Sequence, residues 1–497
     1  MILFAVTLPL TLEAQAAQPK APLDGFDQWA TATMAEWHVP GMAVGVIKDG
    51  KVVLAKGYGY RDVETKLPVT ERTLMAIGSN TKSFTVTVLG MLADEGKLSW
   101  DKPVRTYLPD FQLFDPIATQ EMTARDLVTH RSGLPRHDNL WYGRGFTRKE
   151  LYDRLRYLQP SYSFRSRYQY QNLMFMTAGY LAEQLTGRSW DDLIRDRIFT
   201  PLGMTRAVTS VNAMPKADDF AYAYGWRDKT ITKLPYRNID AIGPAGSIDA
   251  SVEDMLKYVQ FRLDKGVAGG KRLLSEAMEQ QMQSPQMVTG GQVMYDETGY
   301  TDYGMGLGIG SYQGHVTVGH GGGIDGFISA INWMPFQKIG IVVLTNQGDG
   351  NPVPTMVVKK LYDRLLGREI VDWVGRQRKQ DAEGEARQEK ERQKAIAERK
   401  PNAAPTHPLD SYAGTYEHPG YGRLTVRSAG GALELDMDAT HAKLNPFHYD
   451  IFEIDSDANV VPFRGRVQFG MDKKGDIDRV AIPIEPAVAD IVFIRKP

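Results

Sequence analysis

Residues 78–84 read GSNTKSF and open a segment whose apolar side chains recur at helical spacing, with Gly96 as its stop. Ser79 is thus predicted at or near a helix N-terminus, where unpaired N–H groups and the helix dipole favour negative charge. Lys82 follows three residues later, on the same face. A lysine can activate a serine nucleophile if burial or nearby cations lower its pKa. A serine cap followed by a solvated lysine is the alternative, because S-x-x-K alone is common.

The composition narrows the classes of protein and of chemistry. The 497 residues are enough for two or three domains, and 42% hydrophobic with 24% charged residues is typical of globular chains. A formal net charge of -1 gives no support for nucleic-acid binding. The absence of cysteine from the sequence excludes disulfides, a thiol nucleophile and thiolate metal sites.

The N-terminal residues indicate a compartment. Ile2 to Leu12 form an apolar run too short to span a membrane, and residues 14–17 read AQAA, a small-residue cleavage pattern. We therefore expect a signal peptide over residues 1–17 and a periplasmic or secreted protein, although no Lys or Arg precedes the run.

The segment before Ser79 predicts a helix followed by a hairpin. Apolar residues at helical spacing indicate a helix over Phe26 to His38. Met42 to Ile47 and Val52 to Ala55 are predicted strands, joined by the turn pair Asp49-Gly50. The candidate nucleophile thus follows a sheet edge, and the absence of a G-x-S-x-G elbow argues against an α/β-hydrolase.

Two further segments carry side chains suited to catalysis. His130 ends a helical turn and is a candidate base, although a lone histidine is more often structural. Tyr170 and Asn172 precede a long apolar helix that ends at Gly187, and their spacing points both side chains the same way in an extended segment. A phenol can relay protons and an amide can hold a carbonyl, whereas the alternative is a tyrosine packed under the helix start.

The remaining pattern up to residue 366 mixes strands and helices. We expect a strand that ends at His320 and is followed by three glycines, which permit close approach of a backbone or ligand. The other predicted elements are a helix opening at residues 244–247, a tightly packed strand over 304–310, an antiparallel pair at 328–333 and 339–344, and a closing helix over 354–366.

Composition also predicts the domain boundaries. Residues 376–400 are dense in charge and indicate a solvated helix or a charged linker, followed by a Pro/Ala-rich stretch. Short strands separated by Gly or Asp turns then predict an all-β sandwich or partial barrel. We expect a first domain over residues 18–367, a charged helical linker over 368–408 and a β-domain over 409–497.

S-x-x-K, Y-x-N and H-G-G occur in this order, each at the end of a predicted element. Over residues 25–366 the chain resembles the serine β-lactamase and penicillin-binding-protein superfamily, in the class C-like branch with D-aminopeptidases, DD-carboxypeptidases and family VIII esterases. It has neither S-D-N nor K-T-G. The resemblance implies an α/β (α+β) fold: an antiparallel sheet flanked by helices, an all-helical subdomain, and a small lipocalin-like C-terminal β-domain of unassigned role.

The same resemblance implies the roles of the motif residues. Ser79 would form the acyl-enzyme, with Lys82 and Tyr170 sharing the proton transfers, and which of the two is the base stays open. Asn172 would hold the substrate amide, and His320 would replace the K-T-G lysine. Gly322 and Gly323 would contact substrate, and the N–H groups of Ser79 and Gly323 would form an oxyanion hole worth about 3 kcal/mol per donor. No cofactor or metal is implied.

The resemblance leaves the substrate open. A histidine is largely neutral at pH 7 and binds a carboxylate less well than lysine does, which disfavours β-lactams. We therefore expect a peptidase or amidase acting on small or linear peptides, including D-residue or unusual microbial peptides. A family VIII-type carboxylesterase is the alternative, followed by a β-lactamase or a non-hydrolytic penicillin-binding sensor. The expected partner is a small molecule or short peptide, with no nucleic acid and no transmembrane segment.

Overall fold

The computed structural model describes residues 22–348, 350–455 and 465–497. The leader expected at residues 1–17 lies outside the described residues. No helix in these three ranges is both long and apolar enough to cross a membrane.

The strands before the C-terminal region are β1 (Gly41–Lys48), β2 (Lys51–Asp62), β3 (Leu67–Pro68), β4 (Met75–Ala76), β5 (Ala223–Arg227), β6 (Thr230–Leu234), β7 (Asp249–Ala250), β8 (Val267–Ala268), β9 (Lys271–Arg272), β10 (Met287–Val288), β11 (Asp302–Tyr303), β12 (Gly308–Tyr312), β13 (His315–Ile324), β14 (Phe327–Met334) and β15 (Ile339–Thr345).

The helices are α1 (Phe26–Glu36), α2 (Thr81–Asp94), α3 (Pro116–Glu121), α4 (Ala124–Leu127), α5 (Arg148–Arg154), α6 (Asn172–Thr186), α7 (Trp190–Ile194), α8 (Thr200–Leu202), α9 (Val252–Leu263), α10 (Glu276–Met282), α11 (Val353–Leu365) and α12 (Trp373–Ala397).

Among the described residues, nine strands form one antiparallel sheet in the order β10-β11-β12-β13-β14-β15-β1-β2-β3. The strand β1 lies between β15 and β2, where Val44 pairs with both Val343 and Lys56. The predicted hairpin at Asp49-Gly50 is therefore confirmed, and both of those residues have positive φ.

Helices cover both faces of the sheet. Val44 and Val46 belong to the apolar cluster formed with α1 and α11. On the other face, a Cβ atom added to Gly45 would lie 2.6 Å from Val252 of α9, so this helix approaches β1 closely. Because both faces are buried, β1 is apolar along almost its whole length rather than alternating.

The helical subdomain is inserted between β4 and β5, and α2 links it to the sheet. Every residue of α2 from Thr81 to Leu92 is buried, and α2 packs against α6. A helix that is buried on all sides has no solvated face, so its polar side chains, such as Ser83 and Thr87, are buried and hydrogen-bonded inside the protein.

Three predicted elements differ from the structure. The helix predicted to open at residues 244–247 starts later, because a 3₁₀ segment over Asp240–Ala245 and the strand β7 come first. This helix, α9, begins at Val252, where the Ser251 side chain caps it. The chain turns at Gly306 (φ 72°), so the predicted strand over 304–310 begins only at Gly308. The strand β13 does not end at His320 but continues through the glycines, which pair with β14.

The C-terminal region is a barrel that follows α12. Its strands, in the described part of the region, are β16 (Gly414–His418), β17 (Gly422–Ala429), β18 (Ala432–Met437), β19 (Thr440–His448), β20 (Ile451–Asp455), β21 (Arg466–Met471), β22 (Ile477–Ile482) and β23 (Ile491–Arg495). They form a closed antiparallel barrel, in which Tyr416 of β16 pairs with Arg495 of β23. Buried rings of Tyr412, Phe452 and Phe469 meet edge to face inside it. The sequence left a sandwich or a partial barrel open, and the barrel is closed.

Candidate active site

Ser79 lies in a single 3₁₀ turn, Gly78–Asn80, that leads directly into α2. Gly78 has φ 50°, a left-handed conformation that suits glycine. Asn80 fixes the turn, because its Nδ2 atom donates to the Ile77 carbonyl at 3.2 Å and to the Ser329 hydroxyl at 2.7 Å. The predicted position of Ser79 at a helix start is thus observed, with the first turn tighter than an α-helix.

Lys82 is fully buried and its Nζ atom lies at the centre of the site. Nζ is 2.9 Å from Ser79 Oγ, 2.8 Å from Asn172 Oδ1 and 2.7 Å from the Ala245 carbonyl. Burial, reinforced by the charge of Arg136, holds the pKa of Lys82 well below its usual value. A neutral amine keeps two donated hydrogen bonds and can accept the hydroxyl proton of Ser79.

Tyr170 packs beside Lys82. The Lys82 Nζ atom lies 4.8 Å from the centre of the tyrosine ring, and the Arg136 guanidinium lies 4.8 Å from the same ring. Burial raises the pKa of Tyr170, and a hydrogen bond with Ser79 only partly opposes this effect. The phenol therefore stays protonated at neutral pH, in contact with Ser79.

Asn172 is the first residue of α6 and connects two parts of the site. Its Oδ1 atom accepts from Lys82, and its Nδ2 atom donates to Asp138 Oδ1 at 3.0 Å. The structure therefore brings together the serine, the lysine and both side chains of the Y-x-N motif.

His130 is buried and supports the segment that carries Tyr170. Its Nδ1 atom accepts from the Gln171 N–H at 2.9 Å, and its carbonyl accepts from the Gln169 N–H at 2.7 Å. These two bonds flank Tyr170 in sequence and favour the structural role that the sequence left open.

His320 lies in the middle of β13 and both of its ring nitrogens have partners. Nδ1 is 2.5 Å from the Gly321 carbonyl, and Nε2 is 3.0 Å from the Tyr303 hydroxyl. Because a carbonyl only accepts, Nδ1 carries the proton and Nε2 accepts from Tyr303. Burial, with the charge of Lys82 as the second cause, lowers the pKa of His320 to about 4. The imidazole is therefore neutral at pH 7.

The glycines of the third motif form a free strand edge beside Ser79. The pairing of β12 with β13 ends at Gly319, whereas β13 continues along β14 as far as Ile324. A Cβ atom added to Gly322 would lie 1.9 Å from the Ile77 carbonyl, and Gly323 lies against Gly78. Gly322 is needed because the backbone of Ile77, just before the Ser79 turn, touches this strand.

Sequence reasoning missed Arg136, Asp138 and Tyr303. Arg136 and Asp138 follow the predicted turn after His130, and Tyr303 lies on β11. No motif or spacing joins these residues to Ser79 in the sequence, so only the packing of distant segments brings them to the site.

A groove of about 550 Å³ leads from Tyr170 and His320 along β12 and β13. Tyr168, Tyr303 and Gly322 also line it. Across the part of the chain that the structure describes, no three His, Asp or Glu side chains are grouped so as to hold a metal ion.

Comparison with known proteins identifies two matching regions. A model of the beta-lactamase family matches residues 26–359, and a model of a domain of unknown function, DUF3471, matches residues 398–494. The unguisins hydrolase of Aspergillus campestris is 32% identical over 428 residues, covering 82% of this chain and 78% of that protein. Penicillin-binding protein 4 of Amycolatopsis lactamdurans is 30% identical over 343 residues, covering 68% of this chain and 87% of that protein.

Solved structures share the fold. The octameric penicillin-binding protein homologue from Pyrococcus abyssi has a TM-score of 0.61 at 24% identity, covering 95% of this chain and 99% of that chain. The D-amino acid amidase from Ochrobactrum anthropi SV3, complexed with D-phenylalanine, has a TM-score of 0.56 at 22% identity, covering 70% of this chain and 99% of that chain.

Proposed function

Because the chain belongs to the beta-lactamase family of serine hydrolases, we propose that it cleaves amide bonds of small or linear peptides through an acyl-enzyme on Ser79. The contact of Lys82 Nζ with Ser79 Oγ at 2.9 Å, inside a buried site that favours the neutral amine, carries this proposal. A neutral amine at hydrogen-bond distance is the base that a serine hydroxyl needs.

Acylation then proceeds with Lys82 as the base and Tyr170 as a proton relay. Ser79 Oγ attacks the substrate carbonyl carbon while its proton passes to Lys82 Nζ. The N–H groups of Ser79 and Gly323 stabilise the oxyanion, each worth about 3 kcal/mol. The C–N bond breaks as a proton from Lys82, relayed through the Tyr170 hydroxyl, reaches the leaving nitrogen. The raised pKa of Tyr170 supports a relay through the neutral phenol rather than a phenolate base.

Deacylation uses the same groups in reverse. Water attacks the ester carbon and gives a proton to Lys82, directly or through Tyr170. The Ser79–acyl bond then breaks and Ser79 regains its proton. The product is a free carboxylic acid, and Lys82 returns to its neutral form.

The surroundings of His320 support a neutral acyl substrate. With Nδ1 directed at the Gly321 carbonyl and Nε2 accepting from Tyr303, the ring presents no cation to a substrate carboxylate. The unguisins hydrolase is by its name a hydrolase and the D-amino acid amidase is by its name an amidase, and hydrolysis of amides by this chain is consistent with both. The free edge of β13 suits an extended peptide, because its backbone can pair with an added strand.

A carboxylesterase is the second candidate, and the neutral ring of His320 favours it as well. An ester without a carboxylate meets no unmatched charge at His320, and its alkoxide leaving group needs less proton assistance than an amine.

The test is a substrate panel with matched serine variants. D- and L-peptide amides, short acyl esters and nitrocefin are compared by kcat/KM, and Ser79→Ala is assayed beside Ser83→Ala. Ser83 lies on the same helix, but its hydroxyl donates to the Asn80 carbonyl. Ser79→Ala should lose all turnover and all labelling by a fluorophosphonate, whereas Ser83→Ala should keep both.

Three outcomes would contradict parts of the proposal. Turnover in Ser79→Ala would exclude the acyl-enzyme on this residue. A burst without steady turnover on every substrate would identify a sensor. Steady turnover of esters with none of amides would establish the esterase.

A further inference from the structure

The C-terminal barrel packs on the loop between α4 and α5, and we name residues 136–146 of this connection the bridging loop. Arg144, whose side chain is almost fully buried, donates from Nη2 to the Tyr421 carbonyl at 2.5 Å. Asn139 donates from Nδ2 to the Ile484 carbonyl at 2.8 Å. The outer side of the bridging loop is therefore held by polar contacts with two separate segments of the barrel.

His137 of the bridging loop is held by hydrogen bonds on its backbone and on both ring nitrogens. It is fully buried, and its backbone N–H donates to Glu485 Oε2 at 2.7 Å. Its Nε2 atom lies 2.9 Å from the Gln159 carbonyl and therefore donates, which leaves Nδ1 to accept from the Tyr421 hydroxyl at 2.7 Å. The barrel therefore makes two of these three hydrogen bonds.

The inner side of the bridging loop reaches the proposed catalytic groups. Asp138, the next residue, accepts from Asn172 Nδ2 at 3.0 Å. Asn172 in turn accepts from Lys82 Nζ at 2.8 Å, and Lys82 lies 2.9 Å from Ser79 Oγ. His137, which the barrel contacts, is thus directly followed by the first residue of a hydrogen-bonded chain that ends at Ser79.

The other end of the bridging loop contacts the opposite wall of the site. The Tyr142 hydroxyl donates to Asp325, whose carboxylate also accepts from Arg237 Nε at 2.6 Å. Asp325 lies in the turn between β13 and β14, two residues after Gly323. The bridging loop therefore spans the site from α6 to β13.

The backbone of His137 has an unusual conformation at the point where the barrel contacts it. Its φ of 48° is left-handed, which is uncommon for a residue other than glycine. In this conformation the His137 N–H reaches Glu485 and its ring reaches Tyr421, so both barrel contacts hold the residue as it stands. Asp138 continues directly from this residue, and its carboxylate also accepts from Trp141 Nε1 at 2.9 Å within the bridging loop.

We propose that the C-terminal barrel positions the catalytic lysine: Tyr421 and Glu485 hold His137, and through Asp138 and Asn172 they fix Lys82 against Ser79. The inference rests on the proposed function only in requiring Ser79 and Lys82 to perform the chemistry, whatever the substrate. It gives the region that matches a domain of unknown function a role as a positioning element of the hydrolase.

The experiment uses the full chain and four variants. Tyr421→Phe removes one bond to His137, and Glu485→Ala removes the other. Glu485→Gln keeps an amide oxygen that can accept the His137 N–H. Tyr416→Phe is the matched control, because its buried hydroxyl donates to the Tyr412 carbonyl inside the barrel at 2.7 Å and contacts no residue of the bridging loop. Each variant is assayed with p-nitrophenyl acetate, with active sites titrated by fluorophosphonate and stability followed by thermal unfolding.

Tyr421→Phe and Glu485→Ala should each lower kcat per titrated site by about 10-fold or more, since small misplacement of a catalytic group is costly. Glu485→Gln should recover most of that loss, and Tyr416→Phe should match the wild type. Wild-type kcat per site in Tyr421→Phe, or equal losses in Tyr421→Phe and Tyr416→Phe, would overturn the inference. If Glu485→Ala unfolds, Tyr421→Phe still decides the question. Turnover in Ser79→Ala would instead reject the proposed function.

Discussion

The backbones of Gly78 and Gly323 are in direct contact: a Cβ atom added to Gly78 would lie 2.6 Å from the Gly323 nitrogen. Real Cβ atoms do not approach a backbone nitrogen this closely, so the Ser79 turn and β13 can meet only through a glycine. The contact brings the backbone of Gly323 beside the residue that precedes Ser79, which the proposed oxyanion hole requires.

Gly78→Ala should therefore lower kcat by about 100-fold or more by displacing one oxyanion donor. Gly96→Ala is the matched control, because Gly96 also has positive φ but an added Cβ would meet no atom within 4 Å. The control should lose only about 1–2 kcal/mol of unfolding free energy, the cost of a left-handed backbone for a residue with a Cβ atom, with normal kcat. Steady-state kinetics and urea unfolding of both variants make the comparison, and equal kcat values would argue against the oxyanion assignment.

Lys82 should set the acidic limb of the pH–rate profile. Its pKa is held well below the usual value, so the amine loses its proton at a lower pH than a solvated lysine would. With the neutral amine as base, kcat/KM for a neutral ester should rise as pH increases through this pKa and then level off. Lys82→Arg should be inactive at every pH because guanidinium stays protonated. If Lys82→Arg were active and its pH–rate profile kept the acidic limb, the general base would be a residue other than Lys82.

His320 should not respond to pH in the neutral range. Since its pKa is about 4, the ratio of kcat/KM for a peptide acid to that for its amide should stay constant above about pH 6. His320→Gln should keep the same ratio. His320→Lys should favour the acid by about 1.5–3 kcal/mol, the worth of a hydrogen bond to a charged group. A ratio that falls with rising pH in the wild type, and not in His320→Gln, would show a cationic histidine.

Arg262 and Glu279 form a buried ion pair between α9 and α10. Their side chains are almost fully buried, with Nε and Oε1 2.8 Å apart, and burial raises the pKa of Glu279 although Arg262 opposes the shift. Arg262→Met should cost about 3–5 kcal/mol of unfolding free energy, because it leaves a buried charge unpaired. The double variant with Glu279→Met should regain much of that loss. Denaturant unfolding of the four proteins measures this coupling, and purely additive losses would contradict it.

A chain that ends at Lys400 should remain folded. The barrel closes on itself through the pairing of β16 with β23, so its removal takes no strand from the large sheet. That sheet also has its own helices on both faces. It should also lose turnover, because His137 loses two partners. Near-ultraviolet circular dichroism and kcat per titrated site test the two parts. An insoluble fragment would show that the barrel is integral to folding.

Local signals in the sequence were sufficient for much of the secondary structure. Asp49-Gly50 predicted its hairpin because positive φ is needed at both positions, and the apolar spacing predicted the helix that follows Ser79. Local signals misplaced the start of α9 and the end of β13, because a cap and a strand pairing decided those boundaries. Glycines that indicate a loop locally can pair in a strand when a neighbouring strand supplies the hydrogen bonds.

The sequence by itself determined the order of the three motifs, the spacing of Ser79 and Lys82, and the spacing of Tyr170 and Asn172, since these depend on positions within one element. Only the tertiary structure decided that Lys82 is buried, that burial keeps His320 neutral, and that the barrel contacts the bridging loop. The physical reason is that pKa values and hydrogen-bond directions depend on groups brought together from distant parts of the chain, and no local pattern records which distant segments will pack against each other.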